Sequence, residues 1–236
     1  MAKAINELHT PVALEYSIEM LGPALAGENP VMVDGTLGLG GHTEAFLNSF
    51  ENLTVIGIDR DENALELAST RLARFGARFI PAHAIYSEVL EVLEAEGIES
   101  VDAILLDLGV SSMQLDEAGR GFAYSFDAPL DMRMNQSHGI TAAEVLNTYG
   151  ENELARIFKE YGEERYAKQV AKAIVDRRKD EVFTASADLA ALVGKIVPYI
   201  PGKSTGHPAK RIFQALRIEV NGELEILEDT IPAAIE

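Results

Sequence analysis

Residues 34–42 read DGTLGLGGH, with four glycines in nine positions, directly after the apolar run VMV. Ordered glycine loses more conformational entropy than any other residue, so such a run marks backbone that has to stay bare. A short apolar strand, a glycine-rich turn and a helix start, here HTEAFLNSF, together make a cradle for an anionic or nucleotide ligand. Ligands of this kind sit at the carboxyl ends of parallel strands.

The rest of the first 110 residues fits that geometry. LTVIGIDRD, ARFIPAHA and VDAILLDLG are strand-like, and ENALELASTRLARFG between the first two is helical. Continuous apolar strands separated by helices predict an α/β fold, a Rossmann-like parallel sheet covered on both faces. The chain's 236 residues, 47% of them hydrophobic, suffice for one large domain or one domain carrying an insertion. No run of eighteen apolar residues exists, so no membrane span is expected. The first residues, MAKAINELHTPVALEY, hold no apolar core of the signal-peptide kind. Cysteine is absent, which excludes disulfides and cysteine-based zinc sites and fits a reducing cytoplasm.

After Gly109 the pattern changes. VSSMQLDEAGRGFAYSFDAPLDMRMNQSHG has few periodic apolar positions and is expected to be a long ordered loop with a functional role. Three helical stretches follow. The first carries Leu154, Ile157, Phe158 and Tyr161 at helical spacing and runs on through Val170 and Ile174. The second, SADLAALVGKIV, is expected to be capped by Thr184 or Ser186 and to stop near Pro198. The third starts near Pro208, with an apolar face of Ile212, Leu216, Val220, Leu224, Leu227 and Ile231. The organisation expected is a helical insertion over 116–210, set into an α/β domain formed by 1–115 and 211–236.

The net charge of −18 alone argues against nucleic-acid binding. Its distribution does not. From Glu151 to Arg217 there are 13 Lys+Arg against 9 Asp+Glu, while the remainder holds 7 against 29. Two differently charged regions are expected.

Which nucleotide the turn would hold can be argued residue by residue. Asp59 ends the second strand, where an acidic side chain can accept hydrogen bonds from both ribose hydroxyls of an adenosine ligand; Asp61 is assigned to capping the next helix. The dinucleotide pattern G-x-G-x-x-G, begun at Gly38, needs glycine at position 43, where this chain has Thr43. Asp34, at the end of the first strand, suits a cationic sulfonium better than a pyrophosphate. These features favour S-adenosylmethionine over NAD. Asp107, at the tip of the fourth strand, would accept an N–H bond from a weakly nucleophilic amine on an aromatic base and later take its proton.

DGTLGLGGH, IGIDRD, DLGVSSMQLD, RGFAYSFDAPLDMRM, YGEERYAKQVAKAI and HPAKRIFQALRIEVNGELE together resemble the MraW/RsmH family, over nearly the whole chain. The resemblance implies a class I S-adenosylmethionine-dependent methyltransferase acting on the N4 amine of a cytosine in the decoding region of 16S rRNA. It implies that Gly40, Gly41 and His42 meet the cofactor at the turn, that Asp59 holds the ribose and that Tyr86 lies beside the adenine. Asp107 and Gln114 would flank the methionine end and the substrate amine, with Asp107 catalytic. The helical insertion is implied to handle RNA, with Arg133, Arg165, Lys168, Lys172, Arg177, Arg178, Lys210 and Arg211 as candidate phosphate contacts. Phe122, Tyr124 and Phe126 alternate in the long loop as candidate stacking residues, with Phe122 assigned instead to the loop's own core. No metal site is assigned, and His9, His83 and His138 are given no role.

Members of the family continue past the last helix into further strands. The sheet here is therefore expected to hold about four, with AILLDLG at an edge, either because the chain is truncated and lacks the C-terminal strands or with that edge covered by the last helix or by a second copy in a homodimer. Two other readings stand beside the leading one. A non-catalytic RNA-binding remnant is motivated by the shortened sheet. An NAD(P)-dependent oxidoreductase is opposed by Thr43 and Asp34.

Overall fold

β1 (Val31–Asp34), β2 (Thr54–Asp59), β3 (Phe79–His83) and β4 (Ala103–Leu105) pair in parallel, in the order β3-β2-β1-β4. They are the four strands expected, seen in a computed structural model that describes residues 11–125, 127–199 and 206–235. β4 lies at an edge, as expected for AILLDLG. The chain runs outward from β1 through β2 to β3, then returns to the other side of β1 for β4. That reversal leaves a crevice at the carboxyl ends of β1 and β4. The register sets Asp34 level with both Gly57 and Leu105. Asp59 and Asp107 therefore each lie two residues further along a neighbouring strand.

Both faces of the sheet are covered, because adjacent residues along each strand point to opposite sides. On one side Met32, Val55 and Phe79 join Leu25, Leu37, Phe46, Leu47, Leu53 and Leu72 in a single core. The helices α1 (Leu14–Leu21), α2 (Gly41–Ser49) and α3 (Glu62–Leu72) supply that layer. On the other side Val33, Ile56 and Ile58 pack with Val89 and Leu93 of α4 (Val89–Ala95). Ala233 also packs there, from the segment that closes this unit. A fully buried Leu, Ile or Phe contributes about 1.5–3 kcal/mol, so each layer holds its face of the sheet. This unit comprises Met1–Ser112 and Glu225–Glu236.

The second unit, Met113–Leu224, is helical. After the short α5 (Ser112–Asp116) come α6 (Ala142–Thr148), α7 (Glu151–Glu160), α8 (Ala167–Arg177), α9 (Ser186–Ile196), α10 (Lys210–Asn221) and the start of α11 (Glu223–Ala233). α7 packs on α8 and α10, and α8 on α9, around Leu154, Phe158, Ile174, Leu189 and Leu216, all fully buried. α10 thus packs with the helices, so the boundary expected near Lys210 falls at 224/225.

Several expectations for the helical region are corrected. The stretch expected as one helix from Leu154 to Ile174 is two, because Gly162 sits against α10: a Cβ there would lie 2.5 Å from the Arg211 carbonyl oxygen and 2.9 Å from that of Phe158. Glu163 then takes a positive φ of 50°. The last expected helix is also two. Gly222, at φ 59°, ends α10 in the left-handed conformation, and Leu224 and Ile231 are exposed rather than on a continued apolar face. Neither Thr184 nor Ser186 caps α9 with its side chain. The N-cap is Ala185, and the Ser186 hydroxyl accepts the Ala128 N–H at 3.0 Å. α6 was not expected; its signal is the capping box in which Thr141 Oγ1 accepts the Glu144 N–H and Glu144 Oε2 accepts the Thr141 N–H.

Because the close approach at Gly162 is to backbone oxygens, Gly162→Ala forces a backbone shift. The expected cost is about 1–3 kcal/mol, read as a lower urea midpoint for loss of helical signal.

Candidate active site

The glycines of the turn have no side chains with which to hold its shape. Carboxylates at the strand ends hold it instead. Asp59 Oδ2 accepts the Gly38 N–H at 2.7 Å, and its Oδ1 accepts the Asp61 N–H at 2.8 Å. Asp61 caps α3 through the Asn63 N–H at 3.2 Å, as expected for that residue. Gly40, at φ 73°, is the N-cap of α2. A Cβ at Gly40 would lie 2.8 Å from the Leu72 side chain, so both conformation and space require glycine there. Gly41 opens α2, and a Cβ there would lie 2.7 Å from Pro11.

Asp34 is only 1% exposed. Its Oδ2 accepts the Thr43 hydroxyl at 2.7 Å and its Oδ1 accepts the Thr36 N–H at 3.2 Å. The expectation that Asp34 faces a cationic ligand is therefore corrected. It clamps the turn from inside, and Thr43, the residue that breaks the dinucleotide pattern, is the donor it needs. Thr36, which sequence reasoning passed over, links the two strands at the crevice: its hydroxyl accepts the Asp107 N–H at 2.7 Å. The only sequence signal for Thr36 is a hydroxyl residue placed between glycines in a turn.

Asp107 is the carboxylate at this edge that opens outward, with its side chain 47% exposed. Its Oδ2 lies 3.8 Å from His42 Nδ1. His42 is buried in the first turn of α2, and its Nε2 lies 3.1 Å from the Val12 carbonyl oxygen. A carbonyl only accepts, so Nε2 carries a hydrogen, and Nδ1 faces Asp107. Tyr86 packs beside Gly35 at the same end of the sheet: a Cβ on Gly35 would lie 3.1 Å from Tyr86 Cβ. The sheet unit thus brings Gly40, Gly41, His42, Asp59, Tyr86 and Asp107 to one edge. Gln114, in α5, is buried and falls in the helical unit.

The electrostatics follow from crowding. Burial pushes the Asp59 pKa up to about 6, against hydrogen bonds from Asp61 and Gly38 that pull it down; the nearby Asp61 and Asp34 charges add to the rise. Burial also raises Asp34, against the Thr43 hydroxyl and the neighbouring His42, with Asp107 raising it further. For Asp59 the folded chain holds its proton more tightly than an unfolded chain at 3.8. Its contribution to stability is therefore fully present below that value and is lost as pH rises through about 6. The edge as a whole is a cluster of carboxylates around bare backbone, which attracts a cation and repels a pyrophosphate.

The basic residues singled out in the sequence are not equivalent. Arg133 is paired with Asp131, and Arg177 with Glu181 and Asp188. Arg178 donates to the Leu146 carbonyl and Arg211 to that of Glu163. Arg165, Lys168, Lys172 and Lys210 are exposed, and their side chains form no hydrogen bond or ion pair among the described residues. Phe122 is buried, as assigned; Tyr124 is partly exposed and stacks on His207. Phe126 and His9 lie outside the described residues.

The profile of the MraW methylase family matches residues 6–236. A protein named ribosomal RNA small subunit methyltransferase H from Pseudarthrobacter chlorophenolicus is 52% identical over 239 residues, covering 99% of this chain and 72% of that protein. Proteins of the same name from a Nocardioides species and from Streptomyces avermitilis are 56% and 54% identical, each covering 97% of this chain and 72% of its relative.

Thr43→Val keeps the volume and deletes the donor to buried Asp34. It is expected to destabilise the chain by about 1–3 kcal/mol at pH 7, measured by urea denaturation.

Proposed function

The chain belongs to the MraW methylase family, and from that premise we propose that it transfers a methyl group from S-adenosylmethionine to the N4 amine of a cytosine in the decoding region of 16S rRNA, in the cytoplasm. The observation that carries the reading is a half-exposed carboxylate, Asp107, hydrogen-bonded through its backbone to the same turn that Asp59 holds.

The residues of the turn fit the cofactor. Gly40 and Gly41 keep backbone bare where a nucleoside must approach closely. Asp59 retains lone pairs beyond those used by Gly38 and Asp61, so it can accept from ribose hydroxyls. Tyr86 offers a ring at the same edge for the adenine, and Gln114 is assigned to the methionine end. The clustered carboxylates favour a ligand bearing a positive charge. When bound, S-adenosylmethionine supplies an electrophilic methyl group on a sulfonium.

The amine of cytosine is conjugated with its ring, and its lone pair is a poor nucleophile. Asp107, accepting one N–H, returns electron density to that nitrogen and takes the proton once the new C–N bond has formed. His42 Nδ1 faces the Asp107 carboxylate at 3.8 Å and helps to position it. The exposed charges of Arg165, Lys168 and Lys172 support the helical unit as the part that meets the phosphate backbone.

Calorimetric titration tests the cofactor assignment: S-adenosylmethionine is expected to bind and NAD is not. Its affinity should fall as pH drops from 7 to 5, because Asp59 gains a proton near pH 6 and loses an acceptor. In Asp59→Asn the affinity should be weaker at pH 7 and nearly flat over that range. Asp107→Ala should slow methyl transfer to small ribosomal subunits by about 100-fold or more while still binding the cofactor. Unchanged turnover would remove Asp107 from the mechanism.

A further inference from the structure

The helical unit carries an aromatic column that the proposed reaction leaves unused. Its inner end is Phe213 of α10, 3% exposed. Tyr124 meets it edge-on, with centroids 5.8 Å apart and planes at 82°. Tyr124 in turn stacks on His207, at 4.8 Å and 14°. Exposure rises along the column, from a buried ring through a partly exposed one to His207, which is exposed.

His207 is pinned rather than free to swing. Its Nδ1 accepts the Ala209 N–H at 3.1 Å, which fixes the ring at the entry to α10 and leaves the proton of the neutral ring on Nε2. Tyr124 covers one face of the imidazole, and among the described residues no second ring stacks on the exposed His207. A column of this kind recognises planarity, not a particular hydrogen-bond pattern.

Cations stand beside it. Lys210 and Arg211 follow at positions three and four from His207, and the stem of Lys210 passes 3.6 Å from a Cβ built on Gly206. Arg211 donates to the Glu163 carbonyl at 2.6 Å, a neutral acceptor, and its charge forms no ion pair among the described residues. Arg165, two residues beyond Glu163, is exposed and without an ion pair among the described residues. A pinned aromatic ring bordered by unpaired cations has the chemistry of a single-stranded nucleic-acid contact, where bases stack and phosphates meet positive charge.

We infer that His207 is the outer platform on which an unpaired base of an RNA strand stacks, with Lys210 and Arg211 holding the adjoining phosphates. This rests on the reading of the chain as an RNA methyltransferase. Because stacking is tolerant of base identity, the platform holds the strand in place without selecting the target base.

The test uses the whole chain and a short single-stranded oligoribonucleotide carrying one internal 2-aminopurine, whose fluorescence is quenched by stacking. The wild-type chain is expected to bind and quench. His207→Leu should bind about tenfold more weakly and lose the quench, and His207→Phe should restore both. Lys210→Gln with Arg211→Gln should weaken binding, flatten its salt dependence by about two phosphate contacts and keep the quench at saturation. Quench and affinity unchanged in His207→Leu, or no quench with the wild-type chain, overturns the platform. Methyl transfer to small ribosomal subunits is measured in parallel. Transfer by His207→Leu with an unaltered KM overturns the platform and leaves the methyltransferase reading standing. Quenching without any transfer by the wild-type chain does the reverse.

Discussion

The hydrogen bond from the Gly38 N–H to the Asp59 carboxylate is the contact on which the turn depends. A backbone stripped of side chains has little to hold it in one conformation, and each glycine adds to the entropy it must lose. Asp59 fixes the turn from β2, and Asp34 fixes it from β1 through Thr36 and Thr43. Thr36 passes the constraint to β4 through Asp107. The ends of β1, β2 and β4 are thus tied to one another by way of the turn. The residues proposed to meet the ligand are largely those that build its seat. Their burial is what raises Asp34 and Asp59, and only Asp107 keeps half of its surface in water.

Much of this was legible because strand ends and glycine turns are local in sequence. The four strands and the capping of α3 by Asp61 follow from short windows. Asp34 was misjudged because its burial is decided by Thr43, nine residues on, and by the sheet around it. The helix breaks at Gly162 and Gly222 were missed for related reasons. Gly162 is required by the carbonyl of Arg211, 49 positions away, which no periodicity reports. Gly222 sits within an apolar repeat that continues on paper, and only its left-handed conformation shows where the helix stops. The stack of Tyr124 on His207 joins positions 83 apart and has no local signature at all.

Arginine and lysine divide their work in the helical unit. Arg133, Arg156, Arg177 and Arg217 are turned to carboxylates, and the pairs of Arg133 and Arg217 are bidentate. Arg178 ties α8 to the end of α6. The charges left over are mainly lysines on α8 and at the start of α10. A count of basic residues therefore overstates the charge on offer to a partner, and the residues that remain are the more informative ones.

The acidity of the chain and an RNA substrate are reconciled by what each part of that substrate carries. The edge formed by Asp34, Asp59, Asp61 and Asp107 would repel a phosphodiester. It does not repel a neutral base, and it attracts a cationic methyl donor. The proposed reaction therefore requires the cytosine to arrive unstacked, reaching the carboxylates ahead of its own backbone. The backbone needs separate positive charge to hold it, and the chain places its surplus Lys and Arg between residues 151 and 217, away in sequence from the acidic strand ends. With so few unpaired cations among the described residues, phosphate contacts alone would give only weak binding. A stacking contact is far less sensitive to ionic strength, which is the physical reason for an acidic chain to set an exposed aromatic platform beside them.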